Sequence, residues 1–265
     1  MADATQLVTL LTQEPSELSA AMHNAGYKHL GLDFEYKTKL VTDLGEAIDE
    51  MRASANYRGA SVTMPFKEKV IGYLSAIDKI AEDIGAVNTI VHNGDFLTGY
   101  NTDWCGAMDA LKEATPLDDK LVIIIGAGGA ARAIAYGLKI NGARAVLFNK
   151  TSSRGIELAD RFGFEFGGSL DDLRDIRDYH ILINATSMAE DSPVPESALK
   201  QEAVVMDVVS SPVETKLLQL AKSKGCTTIP GYKMLVHQAL PQFRLFTGKE
   251  VPFEVMEQAA LGILK

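Results

Sequence analysis

Two ionisable side chains and one glycine-rich turn carry the chemistry legible in this sequence. The stretch Gly59-Ala60-Ser61-Val62-Thr63-Met64-Pro65-Phe66-Lys67 sets a lysine just past a strand end and a proline, a rigid position for a side chain facing a cleft. Partial burial there would lower the pKa of Lys67 and let it act as a base. Gly99-Tyr100-Asn101-Thr102-Asp103 supplies a carboxylate able to hydrogen-bond the same hydroxyl and to hold Lys67. The pair suits a reaction in which a hydroxyl proton is taken or given as hydride leaves or joins the carbon. Each residue also has a plainer reading, as a surface lysine and a helix-capping aspartate.

Hydride transfer needs a carrier. Leu121 to Ile125 is wholly apolar and runs directly into Gly126-Ala127-Gly128-Gly129-Ala130-Ala131, which matches G-x-G-x-x-A at Gly126, Gly128 and Ala131. Such a turn lets backbone approach a pyrophosphate, and the helix after it presents free N–H groups and a positive dipole end. The strand before and the helix after favour this reading over a helix start that merely packs tightly. At the end of the next strand an acid would bind a ribose 2′-hydroxyl, but the chain has Asn149-Lys150-Thr151-Ser152-Ser153-Arg154. The missing carboxylate, with Lys150 and Arg154 at hand for a phosphate, favours NADP. NAD is kept as a second option, because lysine lacks the planar fork of arginine. Lys150 and Arg154 also read as a solvated helix start.

The elements that position these residues alternate short apolar runs with longer segments of helical period, which is how an α/β chain with a parallel sheet reads. Strands are expected at Leu7 to Leu11, Phe34 to Tyr36 and Ala60 to Thr63, with helices opening at Pro15-Ser16 under a Ser16 cap and spanning Leu44 to Ala53. Thr89 to His92 and Phe96 to Thr98 flank Asn93-Gly94, a hairpin signal. Leu121 to Ile125, the glycine turn, a helix and Ala145 to Phe148 make a βαβ unit. Further strands fall at His180 to Ile183, Val204 to Val208 and Thr227 to Ile229, with a helix over Pro212 to Lys224. Two amphipathic helices, Met234 to Phe246 and Phe253 to Leu264, close the chain and could pack back on its first half. Boundaries near Asn101 and Gly231 divide it into a substrate-binding and catalytic domain, 1–101 completed by helices over 236–265, and a Rossmann dinucleotide-binding domain, 102–235.

The 265 residues are enough for one large or two modest domains, and 46% hydrophobic with 23% charged residues is ordinary for a soluble globular protein. The formal charge of −9 argues against nucleic acid or an anionic membrane as a partner. Cys105 and Cys226 have neither the number nor the spacing for zinc or a disulfide framework, which fits a reducing cytoplasm. No leader or membrane-length apolar run is present, so a cytoplasmic monomer or homodimer acting on a small molecule is expected. No metal site is expected, since His29, His92, His180 and His237 lack ligand spacing. His23 reads as a packing histidine and Trp104 as an anchor beside Asp103.

The order and spacing of these stretches resemble the shikimate dehydrogenase family across almost the whole chain. The resemblance rests on Ser19-Ala20-Ala21-Met22-His23-Asn24, Val62-Thr63-Met64-Pro65-Phe66-Lys67, Gly85-Ala86-Val87-Asn88-Thr89, Gly99 to Asp103, Gly126 to Ala131, Asn149-Lys150-Thr151, Asn184-Ala185-Thr186-Ser187, and Gly231-Tyr232-Lys233-Met234-Leu235 with Gln238. It implies a two-domain enzyme with its active site in the cleft, reversibly reducing 3-dehydroshikimate to shikimate with NADPH. Lys67 and Asp103 fall on the family's catalytic pair. Ser19, Thr63, Asn88, Asp103 and Gln238 fall on substrate-binding positions. Gly126, Ala127, Gly128, Gly129, Ala130, Ala131, Asn149, Lys150, Thr151, Arg154, Thr186, Ser187 and Gly231 fall on the cofactor side. An NAD-linked quinate or shikimate dehydrogenase and a nucleotide-sensing protein with little catalysis are the alternatives.

Departures from the family pattern cluster in the pocket. Glu17 replaces the first substrate-binding serine, Ala20 a proline, Ser61 an asparagine and Ser210 a substrate-contacting tyrosine. A carboxylate at position 17 would repel a substrate carboxylate unless it turns to solvent along the first helical turn. These changes imply a divergent member, with weak shikimate turnover or a related cyclic polyhydroxy acid as substrate.

Overall fold

The computed structural model describes residues 4–94 and 96–264. The chain forms two compact units, one running to Thr102 and resuming at Gln238, the other spanning Asp103–His237.

The first unit is built on β1 (Gln6–Thr12), α1 (Leu18–Leu30), β2 (Phe34–Leu40), α2 (Leu44–Ala53), β3 (Tyr57–Val62), α3 (Phe66–Lys69), β4 (Ala76–Ile77), α4 (Lys79–Ile84), β5 (Thr89–Asn93) and β6 (Phe96–Tyr100). Its sheet has the order β2-β1-β3-β5-β6-β4. The pairs β1·β2 and β1·β3 are parallel, whereas β5 is antiparallel to both β3 and β6, so this sheet is mixed rather than wholly parallel. A reversal at Gly94, with φ 65°, makes β5 and β6 antiparallel, while Asn93, expected in the turn, closes β5 and pairs with Phe96. Asp43 caps α2 by accepting from the Glu46 amide. The Ser16 cap expected for α1 does not form. The helix begins at Leu18 with Glu17 in the cap position and no side-chain cap, while the Ser16 carbonyl accepts from the Thr38 hydroxyl.

The second unit contains α5 (Asp103–Lys112), β7 (Leu121–Ile125), α6 (Gly129–Ile140), β8 (Arg144–Phe148), α7 (Ser152–Phe162), β9 (Glu165–Gly168), β10 (Ile181–Asn184), β11 (Val204–Asp207), α8 (Lys216–Ser223) and β12 (Thr227–Ile229). All strand pairs are parallel in the order β12-β11-β10-β7-β8-β9. The order reverses between β7 and β10, the switch point at which doubly wound sheets open a crevice beyond their strand C-termini. Both faces are covered, so β7 reads as an unbroken apolar run with four of its five residues buried. The helix expected from Pro212 starts at Lys216, because Thr215 caps it by accepting from the Leu218 amide.

The chain then passes through α9 (Gly231–Thr247) into α10 (Phe253–Ile263). The last turns of α9 lie against α1: a Cβ on Gly26 would stand 2.7 Å from the Phe243 ring, so this helix contact requires glycine. Next to it His23 is fully buried and stacks on Tyr36 with ring centroids 4.5 Å apart. Neither His23 nitrogen has a hydrogen-bond partner. Burial drives its pKa from 6.5 down to about 3, against a smaller opposing pull from the Gln242 side chain. Between those values the unfolded chain binds a proton that the folded chain does not. Stability is therefore complete above the unfolded value and is lost as pH falls, by about 1.4 kcal/mol per pH unit. Thermal melts below about pH 6 should show this decline in the wild type and a flatter profile in His23→Phe. Parallel profiles would assign the loss to another group.

Candidate functional site

In the first unit the backbone pins the loop carrying Lys67. The Thr63 amide donates to Leu11 O, the Phe66 amide to Thr63 O, and the Lys67 carbonyl accepts from the Val87 amide at 2.8 Å. Lys67 is half-buried at the start of α3, and Thr63 is half-buried just beyond β3. Asn88 follows directly on Val87, with its amide donating to Tyr100 O and its carbonyl accepting from the Val62 amide. The Lys67 loop and the Asn88 loop are thus fastened to one another.

Asn88, Thr102 and Gln238 meet in one buried cluster. The Thr102 backbone amide donates to Asn88 Oδ1 at 2.8 Å. An amide N–H can only donate, so this contact fixes the carboxamide orientation and makes Asn88 Nδ2 the donor to Thr102 Oγ1 at 2.9 Å and to Gln238 Oε1 at 3.1 Å. Asn101 anchors the approach by donating from Nδ2 to Ala86 O. Ser19 is buried on α1, where its hydroxyl and that of Ser61 act on the Tyr36 phenol. They oppose the rise in pKa that burial gives it. Glu17 is exposed.

In the second unit the glycine turn stands at the switch point. Gly126 follows β7 with φ 112°, its amide donates to Phe148 O, and a Cβ there would lie 3.0 Å from Ala185 O. The backbone is therefore bare where a pyrophosphate would approach, and Gly128 leads into α6 with no side-chain cap to occupy that helix start. These features fit a dinucleotide. After β8, Asn149 Nδ2 donates to Thr151 O, and Lys150, Thr151 and Arg154 are exposed around the start of α7. Thr186 and Ser187 follow β10, and Asn184 Oδ1 accepts from the Thr186 amide and hydroxyl. Gly231 begins α9, where a Cβ would come within 2.3 Å of Val209 O. Asp103 is buried at the first position of α5.

Sequence reasoning passed over a second polar centre in this unit. Asp207, at the end of β11, is fully buried and accepts from Asn184 Nδ2, the Val209 amide and the Thr215 hydroxyl. Burial pushes its carboxyl up, while these three donors favour the ionised form. It anchors the ends of β10 and β11, and the one sequence signal was an acid closing an apolar run. Among the described residues no group of three or more His, Cys, Asp or Glu could hold a metal, and no helix is long and apolar enough to cross a membrane.

A doubly wound parallel sheet with a bare glycine turn at its switch point, on a chain that also carries a buried carboxamide and hydroxyl cluster, defines the class: a nucleotide-dependent oxidoreductase. Family profiles agree. Residues 15–90 match the shikimate dehydrogenase substrate binding domain, 109–220 the shikimate/quinate 5-dehydrogenase family, and 231–261 the shikimate 5′-dehydrogenase C-terminal domain. The chain is 43% identical to a shikimate dehydrogenase (NADP(+)) of Pyrococcus abyssi, over 92% of each chain. Among solved structures it is similar to shikimate 5-dehydrogenase from Thermus thermophilus in complex with NADP(H) and shikimate. The TM-score is 0.88 at 34% identity, covering 97% of this chain and 98% of that one. Quinate dehydrogenase from Corynebacterium glutamicum in complex with NAD gives a TM-score of 0.89 at 31% identity, covering 97% and 99%. The chain belongs to the shikimate dehydrogenase family.

Proposed function

We propose that this chain catalyses the reversible interconversion of shikimate and 3-dehydroshikimate with NADP. The observation that carries the reading is the buried trio of Asn88, Thr102 and Gln238. Carboxamides and a hydroxyl with fixed polarity, drawn from distant points of the chain, are suited to a ring bearing several hydroxyls. The Pyrococcus and Thermus relatives support both the substrate and the cofactor.

Residues 1–101 and 236–265 act as the substrate side and 102–235 as the cofactor side, except that Thr102 and Asp103 serve the substrate. Ser19, Thr63, Asn88 and Gln238 bind the hydroxyls and carboxylate of the ring acid. In the oxidative direction, neutral Lys67 takes the hydroxyl proton as the carbon gives up hydride. In the reductive direction, its ammonium returns that proton to the carbonyl oxygen. Before the oxidative transfer Asp103 accepts a hydrogen bond from the same hydroxyl and orients it, and the proton then turns from Asp103 to the Lys67 amine. Bound NADP supplies the hydride acceptor or donor. The backbone from Gly126 to Ala131 would hold the pyrophosphate, and Lys150, Thr151 and Arg154, with Asn149, would hold the 2′-phosphate. Thr186, Ser187 and Gly231 line the nicotinamide side. Glu17, being exposed, leaves the ring carboxylate to Ser19.

The test crosses two acids with two cofactors. Shikimate with NADP should give the highest kcat/KM, followed by shikimate with NAD. A higher kcat/KM for quinate with NAD would replace this reading by the quinate one, which the Corynebacterium structure favours. Cofactor binding without turnover of any ring acid would leave a nucleotide sensor.

A further inference from the structure

One buried side chain of the first unit has no part in the proposed chemistry, yet it touches the cluster that does. Gln242 lies one helical turn after Gln238 on α9, so the two carboxamides project from the same face. It is buried, as are Ser61 and Thr89. Its Nε2 donates to Asn88 O at 3.2 Å and to Thr89 Oγ1 at 2.9 Å. A backbone carbonyl can only accept, so the Gln242 amide has one allowed orientation, with Oε1 accepting from Ser61 Oγ at 3.1 Å. The Thr89 hydroxyl, having accepted from Gln242, donates to Asn88 Oδ1 at 2.7 Å.

The consequence is a one-directional chain of hydrogen bonds. Gln242 Nε2 sets the Thr89 proton, and the Thr89 proton, with the Thr102 amide, sets Asn88 Oδ1. Asn88 Nδ2 then donates to Gln238 Oε1, which fixes the direction of the Gln238 carboxamide. A flip anywhere along this path would set like ends face to face in a buried place, where unmet donors and acceptors are expensive.

We infer that Gln242 is a positioning residue that, through Thr89 and together with the Thr102 amide, holds the Asn88 carboxamide, and with it Gln238 Oε1, in the orientation that the ring acid meets. The inference rests on the proposed substrate. Gln242 acts on no reacting atom, so its removal changes affinity for the ring acid rather than for NADP, whose proposed residues follow β7, β8 and β10 and include Gly231 at the far end of α9.

The test compares Gln242→Met, Thr89→Val and the double variant by KM for shikimate, KM for NADP and thermal midpoint. Each single variant should raise KM for shikimate about tenfold and leave KM for NADP unchanged. The double variant should be no worse than the poorer single, because both cut the same path. Should Gln242→Met fail to fold, Thr89→Val, a nearly isosteric change, carries the test alone. Unchanged KM for shikimate, both KM values rising together, or single effects that multiply in the double variant would overturn the inference and leave Gln242 a packing residue. A wild type that does not oxidise shikimate with NADP would overturn the substrate reading, and this inference with it. An active wild type with indifferent variants would overturn this inference alone.

Discussion

Lys67→Ala is expected to lower kcat for shikimate oxidation by about 10²- to 10⁴-fold while leaving the Kd for NADP unchanged. The expectation follows from where the lysine stands. Its carbonyl is tied to the Val87 amide and its loop to Leu11 and Thr63, so the backbone keeps its place when the side chain is cut back. The loss then falls on proton transfer alone. Stopped-flow turnover with a separate titration of NADP reads both quantities. Turnover within about threefold of the wild type would remove Lys67 from the mechanism, since general acid–base groups supply far more than that. A matching loss of NADP affinity would instead indicate a disturbed fold.

Gly126→Val should produce the opposite pattern, with NADP affinity reduced by roughly 10²-fold or more and the shikimate cluster intact. At φ 112° a branched residue is in a backbone region that L side chains rarely adopt, and its Cβ would meet Ala185 O at 3.0 Å and the Thr186 side chain at 3.2 Å. The turn must open or the β10 loop must shift, and either change moves the backbone amides proposed to face the pyrophosphate. Calorimetric titration of NADP checks this. Undiminished affinity would mean that the glycine turn is not where the dinucleotide docks. The two variants together separate the chemistry of one unit from the binding of the other.

Much of the fold is legible in the sequence, and for identifiable reasons. Leu121 to Ile125 reads as a strand covered on both faces, because five apolar residues in a row run straight into a glycine turn and a helix. Asn93-Gly94 announced its hairpin, but only Gly94 meets the positive-φ need, and Asn93 closes β5 instead. Leu44 to Ala53 appears with the expected bounds, since Asp43 ends the preceding loop with a cap. The failures have physical causes too. Ser16 looked like a cap by its type, but its carbonyl is held by the Thr38 hydroxyl from β2 and the helix starts at Leu18. Pro212 looked like a helix start, although the local cap three residues on, Thr215, sets that end. Ala76–Ile77 is a strand only by virtue of its pairing with β6, and two residues carry no period to detect.

The candidate site divides in the same way. Sequence by itself determined the family, the α/β class, the glycine turn and the residue types offered to substrate and cofactor, because each of these is written in local spacing. It could not determine that Asn88 and Gln238, 150 positions apart, share a hydrogen bond. Nor could it determine that Gln242 reaches Thr89, or that Asp207 gathers Asn184, Val209 and Thr215. Those facts depend on which way each buried carboxamide points. A carboxamide's direction is set by the nearest backbone N–H or C=O, and only the folded chain brings that group to it.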